Sequence, residues 1–190
     1  MLRKYIYTIL LSTLFITGCS SQPVTEEVNL YTARKEHLIR PLLDIFENDT
    51  GIKVNIVSAK TKILIKKIID EGKTSPADLL ITVDAGNLHK AKLKGISQAI
   101  KSNVINGLIP ENLRDEEGHW YGLSIRSRVI MYNPKNVNPK MIANYEDLAK
   151  PALKGRVCIR SSSNIYNQSL LASLIYHNGE ASALEWAKGV

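Results

Sequence analysis

The chain has 190 residues, which suits one domain or two small ones, and a formal net charge of +7. No run of five or more basic residues occurs, and no basic stretch is interleaved with aromatic residues, so we expect no nucleic-acid partner. Only two cysteines are present, which excludes a framework of several disulfides. The basic balance instead favours attraction to anions or to an acidic surface.

The amino terminus has the pattern of an export signal. Arg3 and Lys4 precede an apolar core at residues 6–16 that is too short to span a membrane, so residues 1–18 are predicted to be a signal peptide. Residues 16–19, Ile-Thr-Gly-Cys, resemble a bacterial lipobox. We therefore predict a lipoprotein signal that ends before a lipid-modified Cys19, followed by a tether at residues 19–27. The alternative is an ordinary secretory signal with a chance cysteine.

The next elements alternate between strand and helix patterns. Residues 28–31, 52–57 and 77–83 have strand character, and the last of these runs is nearly all apolar, as in a central parallel strand. Helices are predicted between these strands and again at about residues 87–94. The apolar positions of the first helix are Leu38, Leu42, Leu43 and Phe46, and those of the second helix are Ile63, Leu64, Ile68 and Ile69. Pro41 is expected in the first turn of its helix. This β-α-β-α-β order predicts a right-handed, doubly wound α/β unit that binds its ligand at the carboxyl ends of the strands.

The second half of the sequence is patterned less regularly. Strands are predicted at residues 120–125 and 129–132, a short helix from an Asn144 N-cap to Lys150, and a last helix at 180–188. Residues 155–179 read as strand, hydroxyl-rich turn and helix, with Tyr166 in the first helical turn. Such turns favour anions because the N–H groups at the helix start are free. Cys158, within the apolar run of this strand, is predicted to be a buried structural thiol.

Several of these motifs, taken together and in order, resemble the periplasmic ferric-iron-binding proteins of bacterial iron(III) ABC importers. The matching segments are Leu30-Tyr31-Thr32-Ala33-Arg34, Thr50-Gly51-Ile52-Lys53-Val54, Ser75-Pro76-Ala77-Asp78-Leu79-Leu80, Trp120-Tyr121-Gly122-Leu123, Arg126-Ser127-Arg128-Val129, Lys154-Gly155-Arg156-Val157 and Ser162-Ser163-Asn164-Ile165-Tyr166-Asn167-Gln168-Ser169-Leu170. They cover nearly all of residues 28–190.

The resemblance implies a periplasmic-binding-protein type II fold with two α/β lobes that close around one Fe(III). The first lobe would be residues 28–127, and residues 128–190 would form the crossover and part of the second lobe. In that family the iron is held mainly by tyrosine phenolates, and the resemblance implies that Tyr166 is one of them. This fits the preference of hard Fe(III) for anionic oxygen ligands.

Two departures from the family pattern refine this expectation. Some members place a histidine just after the first strand, where this chain has Lys35 and Glu36. Some also use a glutamate after the third strand, where this chain has Val83. The chain therefore resembles the histidine-free branch, in which three tyrosines and a synergistic anion such as carbonate hold the iron. The resemblance implies that Arg34 and Arg126 bind this anion, for which a guanidinium is well shaped.

The family also uses an adjacent pair of tyrosines further along, and no such pair occurs in this sequence. We therefore expect a chain truncated at its carboxyl terminus, with one of three tyrosine ligands and impaired iron binding. The resemblance further implies a periplasmic protein that delivers iron to an inner-membrane ABC permease. We expect a monomer, anchored to a membrane through the lipidated Cys19 that the lipobox predicts.

Other interpretations remain open from the residues alone. The chain is also consistent with a binding protein for an oxyanion, held by Arg34, Arg126 and the turn at 161–164. Tyr166 has the helical spacing of a core residue as well as the position of a ligand. A nucleophilic Cys158 or serine would make the chain an enzyme, which we do not expect because no histidine lies near in sequence and no Gly-x-Ser-x-Gly turn exists. A remnant that folds only its first lobe is a further alternative.

Overall fold

A computed structural model describes residues 26–190. The predicted signal peptide and Cys19 lie outside these residues and stay predictions. The strands are β1 (Glu27–Thr32), β2 (Lys53–Ser58) and β3 (Leu79–Ile81). The α-helices are α1 (Glu36–Thr50), α2 (Thr61–Glu71), α3 (Ala85–Leu93), α4 (Asn103–Leu108), α5 (Ile165–Asn178) and α6 (Glu180–Gly189). Short 3-10 turns occur at Gly72–Thr74, Glu111–Leu113, Pro139–Met141, Glu146–Ala149 and Pro151–Leu153.

The strands form a parallel sheet in the order β2-β1-β3. Val28 pairs with Val54, and Leu30 pairs with both Ile56 and Leu79. Helix α1 packs on one face and α2 on the other, so the predicted doubly wound α/β unit is confirmed. The prediction that the third strand is central is wrong: β1 is the central strand and β3 is short and lies at an edge.

Each face of the sheet has its own apolar core. Leu30 and Val54 pack against Ile39 and Leu43 of α1 on one face. On the other face, Tyr31 packs against two residues of α2, Leu64 and Ile68. Burial of these side chains is the main stabilising contribution within the unit.

The predicted apolar stripes of the two helices are confirmed in part: Leu43 of α1 and Leu64 and Ile68 of α2 are buried, and other members are exposed. Leu38 and Leu42 of α1 are 64% and 63% exposed, while the neighbouring Ile39 and Leu43 are buried. Ile63 and Ile69 of α2 are likewise exposed. Pro41 is the sixth residue of α1 and not in its first turn, because the helix begins at Glu36.

Residues 114–164 contain turns and short 3-10 segments, and the structure differs here from the sequence prediction. The strands predicted at 120–125, at 129–132 and at the start of residues 155–179 are wrong; within residues 114–164, all of which the structure describes, the only ladder contact is an isolated antiparallel bridge between Arg114 and Tyr121. A strand needs a neighbour for its backbone hydrogen bonds, and the described chain supplies none here. For the same reason Cys158 is exposed, which contradicts its prediction as a buried thiol.

Apolar and basic residues alternate in the segment around residue 126. Four apolar residues at odd positions are strongly exposed: Leu123, Ile125, Val129 and Met131. Arg126 and Arg128, at even positions, reach towards α5. This alternation is typical of extended backbone. No helix within residues 26–190 is long and apolar enough to cross a membrane.

Candidate functional site

Tyr166 lies in the first turn of α5, and the turn before it sets its position. The side chain of Asn164 caps the helix by accepting a hydrogen bond of 3.0 Å from the Tyr166 N–H. The Asn164 N–H in turn donates to the Ser161 carbonyl at 2.9 Å. The phenol side chain is half-buried. Tyr166 is therefore a partly accessible phenol at a well-capped helix start.

Three arginines surround the Tyr166 ring. The Nη1 of Arg126 donates a long hydrogen bond of 3.5 Å to the phenol oxygen. The guanidinium carbons of Arg160 and Arg128 lie 5.5 Å and 5.8 Å from the ring centroid, within the range of cation–π contacts. None of the three arginines forms an ion pair with a carboxylate among residues 26–190. We call Tyr166, Arg126, Arg128 and Arg160 the arginine–tyrosine cluster.

Asn167 connects two members of this cluster. Its Oδ1 accepts a hydrogen bond of 3.0 Å from Arg128 Nη1, and its Nδ2 donates to the Arg160 carbonyl. The Arg128 carbonyl also accepts from the Tyr145 hydroxyl at 3.0 Å. The segment around Arg128 is thus joined to α5 and to the turn at Tyr145.

The start of α5 is attached to the carboxyl edge of the sheet through Asp84. This residue follows β3, has a φ of 71°, and caps α3 by accepting from the Gly86 N–H at 2.9 Å. The same Oδ1 accepts a hydrogen bond of 2.6 Å from the Ser169 hydroxyl of α5. Nearby, a side chain at Gly86 would meet Ile165 at 3.0 Å. The cluster therefore lies beside the strand ends, where doubly wound folds bind ligands.

The structure brings together only part of the predicted site. Arg34 lies just beyond the carboxyl end of β1, where its backbone N–H donates to Thr32 Oγ1 at 3.1 Å and its carbonyl accepts from Ser58. No hydrogen bond joins Arg34 to Tyr166 or Arg126 within residues 26–190. Arg126 does contact Tyr166, whereas the anion-binding role of Arg34 has no direct support from a contact.

Tyr31 is a structural residue of the sheet core. It is 1% exposed, and its hydroxyl donates to both carboxylate oxygens of Glu71 at 3.0 and 3.1 Å. Burial, together with the adjacent Glu71 carboxylate, raises the pKa of the Tyr31 phenol, so this phenol is a poor source of a phenolate. Hydrogen bonds from Lys67 and Ser75 lower the pKa of Glu71 and keep its carboxylate ionised.

Arg128 and Arg160 are members of the cluster that the sequence analysis did not select. Arg128 could have been selected from its spacing, because residues 126 and 128 lie on the same side if the segment is extended. Arg160 immediately precedes the hydroxyl-rich turn, and its position near the ring depends on how the turn folds back. Within residues 26–190, no group of three or more His, Cys, Asp or Glu side chains has the arrangement of a metal site. Within the arginine–tyrosine cluster, the Tyr166 phenol is the group that could bind a metal through oxygen.

The sheet topology and the position of the cluster define an α/β ligand-binding protein with its site at the strand ends. Residues 74–190 match the family of bacterial extracellular solute-binding proteins, and the chain belongs to this family. This identification rests on the match to more than half of the chain.

The similar proteins within this family have names that refer to iron. The chain is 43% identical to iron uptake protein A1 of Synechocystis, over 96% of this chain and 53% of that protein. It is 27% identical to the Fe(3+)-binding periplasmic protein of Serratia marcescens, over 94% of this chain and 53% of that protein. The resemblance to ferric-iron-binding proteins is therefore confirmed.

Solved structures agree on the fold. The Trichodesmium protein IdiA (FutA) in complex with iron and citrate ligands is 50% identical and superposes with a TM-score of 0.81, over 86% of this chain and 52% of that chain. The ferric binding protein from Campylobacter jejuni is 41% identical, with a TM-score of 0.79 and the same coverage. The predicted periplasmic-binding-protein type II fold is confirmed, and the chain spans about half the length of the relatives it matches.

Proposed function

We propose that the chain is the solute-binding component of an iron(III) ABC importer, or a part of one, with Fe(III) as its substrate. The observation that supports this most directly is the arginine–tyrosine cluster, which places an accessible phenol among cations at the ligand-binding edge of the fold. The names of the relatives, which are iron uptake and ferric-iron-binding proteins, point to the same substrate.

The chemistry of the cluster suits iron held together with an anion. Fe(III) strongly favours phenolate oxygen, and binding would release the Tyr166 proton to solvent. Arg126, Arg128 and Arg160 would repel a bare cation, but they attract an anion that supplies further oxygen ligands and offsets their charge. Carbonate fits this role, and the Trichodesmium relative holds citrate with its iron. Arg34 would join from the end of β1 when the anion is bound.

One phenol and one anion do not complete the coordination of Fe(III). The sequence has no Tyr-Tyr pair, and the family resemblance places the other two tyrosines in the half of the relatives that this chain does not match. We therefore propose weak iron binding by these residues alone. The division into a lobe at 28–127 and a partial lobe at 128–190 belongs to the same proposal.

The cellular setting follows from the relatives and the amino terminus. We propose a monomeric periplasmic protein that is lipid-anchored through Cys19 and delivers iron to an inner-membrane permease. We also propose that it binds without catalysis, since its family binds solutes and no hydrogen bond joins exposed Cys158 to a histidine within residues 26–190.

Titration of the full chain with Fe(III) and carbonate tests the substrate. We expect a visible phenolate-to-iron charge-transfer band that disappears in Tyr166→Phe. Tyr176→Phe is the matched control, because this tyrosine is also in α5 but is 85% exposed and packs its ring edge-on against His177. A band that persists in Tyr166→Phe would show that Tyr166 is not the ligand.

The second candidate is an oxyanion-binding protein, which is favoured by three arginines that pair with no carboxylate within residues 26–190. Calorimetric titration of iron-free protein with phosphate and sulfate separates the candidates. A colourless protein that binds either anion and takes up no Fe(III) would replace the iron proposal with this one.

A further inference from the structure

Asn167 contacts both arginines whose guanidinium groups lie against the Tyr166 ring. One end of its amide accepts a hydrogen bond of 3.0 Å from the Arg128 side chain, and the other end donates to the Arg160 carbonyl. We propose that Asn167 is a positioning residue that holds Arg128 and Arg160 against the ring of Tyr166. This inference rests on the proposed function, because it assigns the contact a role in binding Fe(III).

The contacts between the two guanidinium groups and the Tyr166 ring are weak by themselves. Arg128 and Arg160 are exposed to solvent, and neither has a carboxylate partner among residues 26–190. A cation–π contact at an exposed site is no larger than the conformational entropy lost when a long arginine side chain is ordered. The ring alone therefore does not hold the two guanidinium groups in place, and a further anchor is required.

Asn167 is suited to be that anchor because of its place in α5. It is the third residue of the helix, directly after Tyr166, and its backbone N–H is already bonded to the Asn164 carbonyl at 3.0 Å. Its backbone is therefore fixed relative to Tyr166 by the capped first turn, so its short side chain starts from a defined point beside the ring. One half-buried amide can then fix a residue on each of two separate segments, at 128 and at 160.

The consequence concerns the phenol oxygen. With Arg128 and Arg160 both within about 6 Å of its ring centroid, Tyr166 directs its hydroxyl towards Arg126 before any ligand arrives. A preorganised ligand needs less rearrangement when the metal binds, which is why groups that orient metal ligands contribute to metal affinity.

Two substitutions of Asn167 separate its two contacts. Asn167→Ala removes both, and alanine has the higher helix propensity, so α5 is retained. Asn167→Asp keeps the acceptor for Arg128 but has no N–H to donate to the Arg160 carbonyl. Asn178→Ala is the matched control: it changes the same residue type in the same helix, where the side chain bonds Glu146 at 2.6 Å, away from the cluster.

The first readout is NMR of the arginine side-chain N–H groups in the iron-free full chain, with Tyr166→Leu used to assign the shifts caused by the ring. We expect Asn167→Ala to move the Arg128 and Arg160 signals towards their values in Tyr166→Leu. Asn167→Asp should move the Arg160 signal towards its value in Tyr166→Leu, while the Arg128 signal, now from a guanidinium paired with a carboxylate, should move away from its Tyr166→Leu value. Asn178→Ala should move neither. Unchanged arginine signals in Asn167→Ala would overturn the proposal.

The second readout is Fe(III) affinity measured by competition with a chelator. We expect Asn167→Ala to bind about tenfold more weakly, the lower end of the range for residues that orient metal ligands, and Asn178→Ala to bind as the unaltered chain does. Equal affinities of Asn167→Ala and the unaltered chain would also overturn the inference. If no form binds Fe(III), the proposed function fails, while the iron-free spectra still decide whether Asn167 positions the arginines.

Discussion

Asp84 provides a test of how the start of α5 is attached to the sheet, because its backbone conformation and its side chain make opposite demands. Its φ of 71° is strained for any residue except glycine, at a cost of about 1–3 kcal/mol. Its Oδ1 accepts hydrogen bonds from the Gly86 N–H and the Ser169 hydroxyl. We expect Asp84→Ala and Asp84→Gly to have clearly different effects on the free energy of unfolding.

The magnitudes follow from these contacts. Alanine loses the helix cap, about 1 kcal/mol, and the charge-assisted bond to Ser169, about 1.5 kcal/mol, and it keeps the strain, so Asp84→Ala should cost about 2.5 kcal/mol. Glycine at a cap costs only a few tenths of a kcal/mol. Glycine also loses the bond to Ser169, about 1.5 kcal/mol, but it relieves the strain of about 1–3 kcal/mol, so Asp84→Gly should lie within about 1 kcal/mol of the unaltered protein.

Urea unfolding of the full chain, followed by circular dichroism, measures both values. Ser169→Ala, which removes only the hydrogen bond between α5 and Asp84, should cost about 1.5 kcal/mol and have no further effect in the Asp84→Ala background. Asp84→Ala and Asp84→Gly proteins of equal stability would refute the reasoning, since the strain would then contribute nothing.

Three further outcomes are expected. Tyr31→Phe keeps the buried ring but removes the hydroxyl bonded to Glu71, and urea unfolding should show a loss of about 1–2 kcal/mol. Burial opposes ionisation of Asp115, but hydrogen bonds from Lys92 and a backbone N–H outweigh burial and lower the pKa of this carboxyl. The ionised Asp115 therefore stabilises the fold above about pH 4, and this stabilisation is lost as the pH falls through the lowered pKa. The stability difference between Lys92→Met and the unaltered chain, from urea midpoints, should therefore shrink below about pH 4. Limited proteolysis with chymotrypsin, followed by mass spectrometry, should cut residues 120–160 before residues 27–93, because the former lack strands and expose apolar side chains.

Controls for these outcomes lie in the same chain. Tyr121→Phe removes a hydroxyl that donates to a neutral backbone carbonyl at 2.7 Å near the surface, so it should cost only about 0.5 kcal/mol, and a loss as large as that of Tyr31→Phe would contradict the role given to Glu71. A difference between Lys92→Met and the unaltered chain that stays constant from pH 7 to pH 3 would remove Asp115 from the explanation. Cleavage that begins between 27 and 93 would contradict the expected order of proteolysis.

The sequence was sufficient to predict the α/β unit, because its signals are local. Strand alternation, helix period and the glycines at 51 and 72 act within a few residues of each other, and the unit was predicted correctly. The apolar pattern of the helices does not specify which of their faces is buried. Leu38 and Ile39 are adjacent and both apolar, so periodicity alone does not distinguish the buried residue from the exposed one.

The site was predictable in part. Tyr166 and Arg126 were selected through the family resemblance, and the structure places them in contact. Arg160 approaches the ring only because the turn at 161–164 folds back, which is a tertiary effect without a local signature. The strands predicted at 120–132 are absent for the converse reason: their apolar pattern is local, but a strand also depends on a neighbour distant in sequence.

The alternation along residues 123–131 limits how the length of this segment can change. Odd positions carry the exposed apolar side chains, and even positions carry Arg126 and Arg128. Inserting or deleting one residue just before Arg126 would reverse this pattern, turn both guanidinium groups away from α5, and direct apolar side chains towards Tyr166. Inserting or deleting two residues would leave each side chain on its original side of the segment. Among natural variants of this segment, we therefore expect length differences in even numbers only.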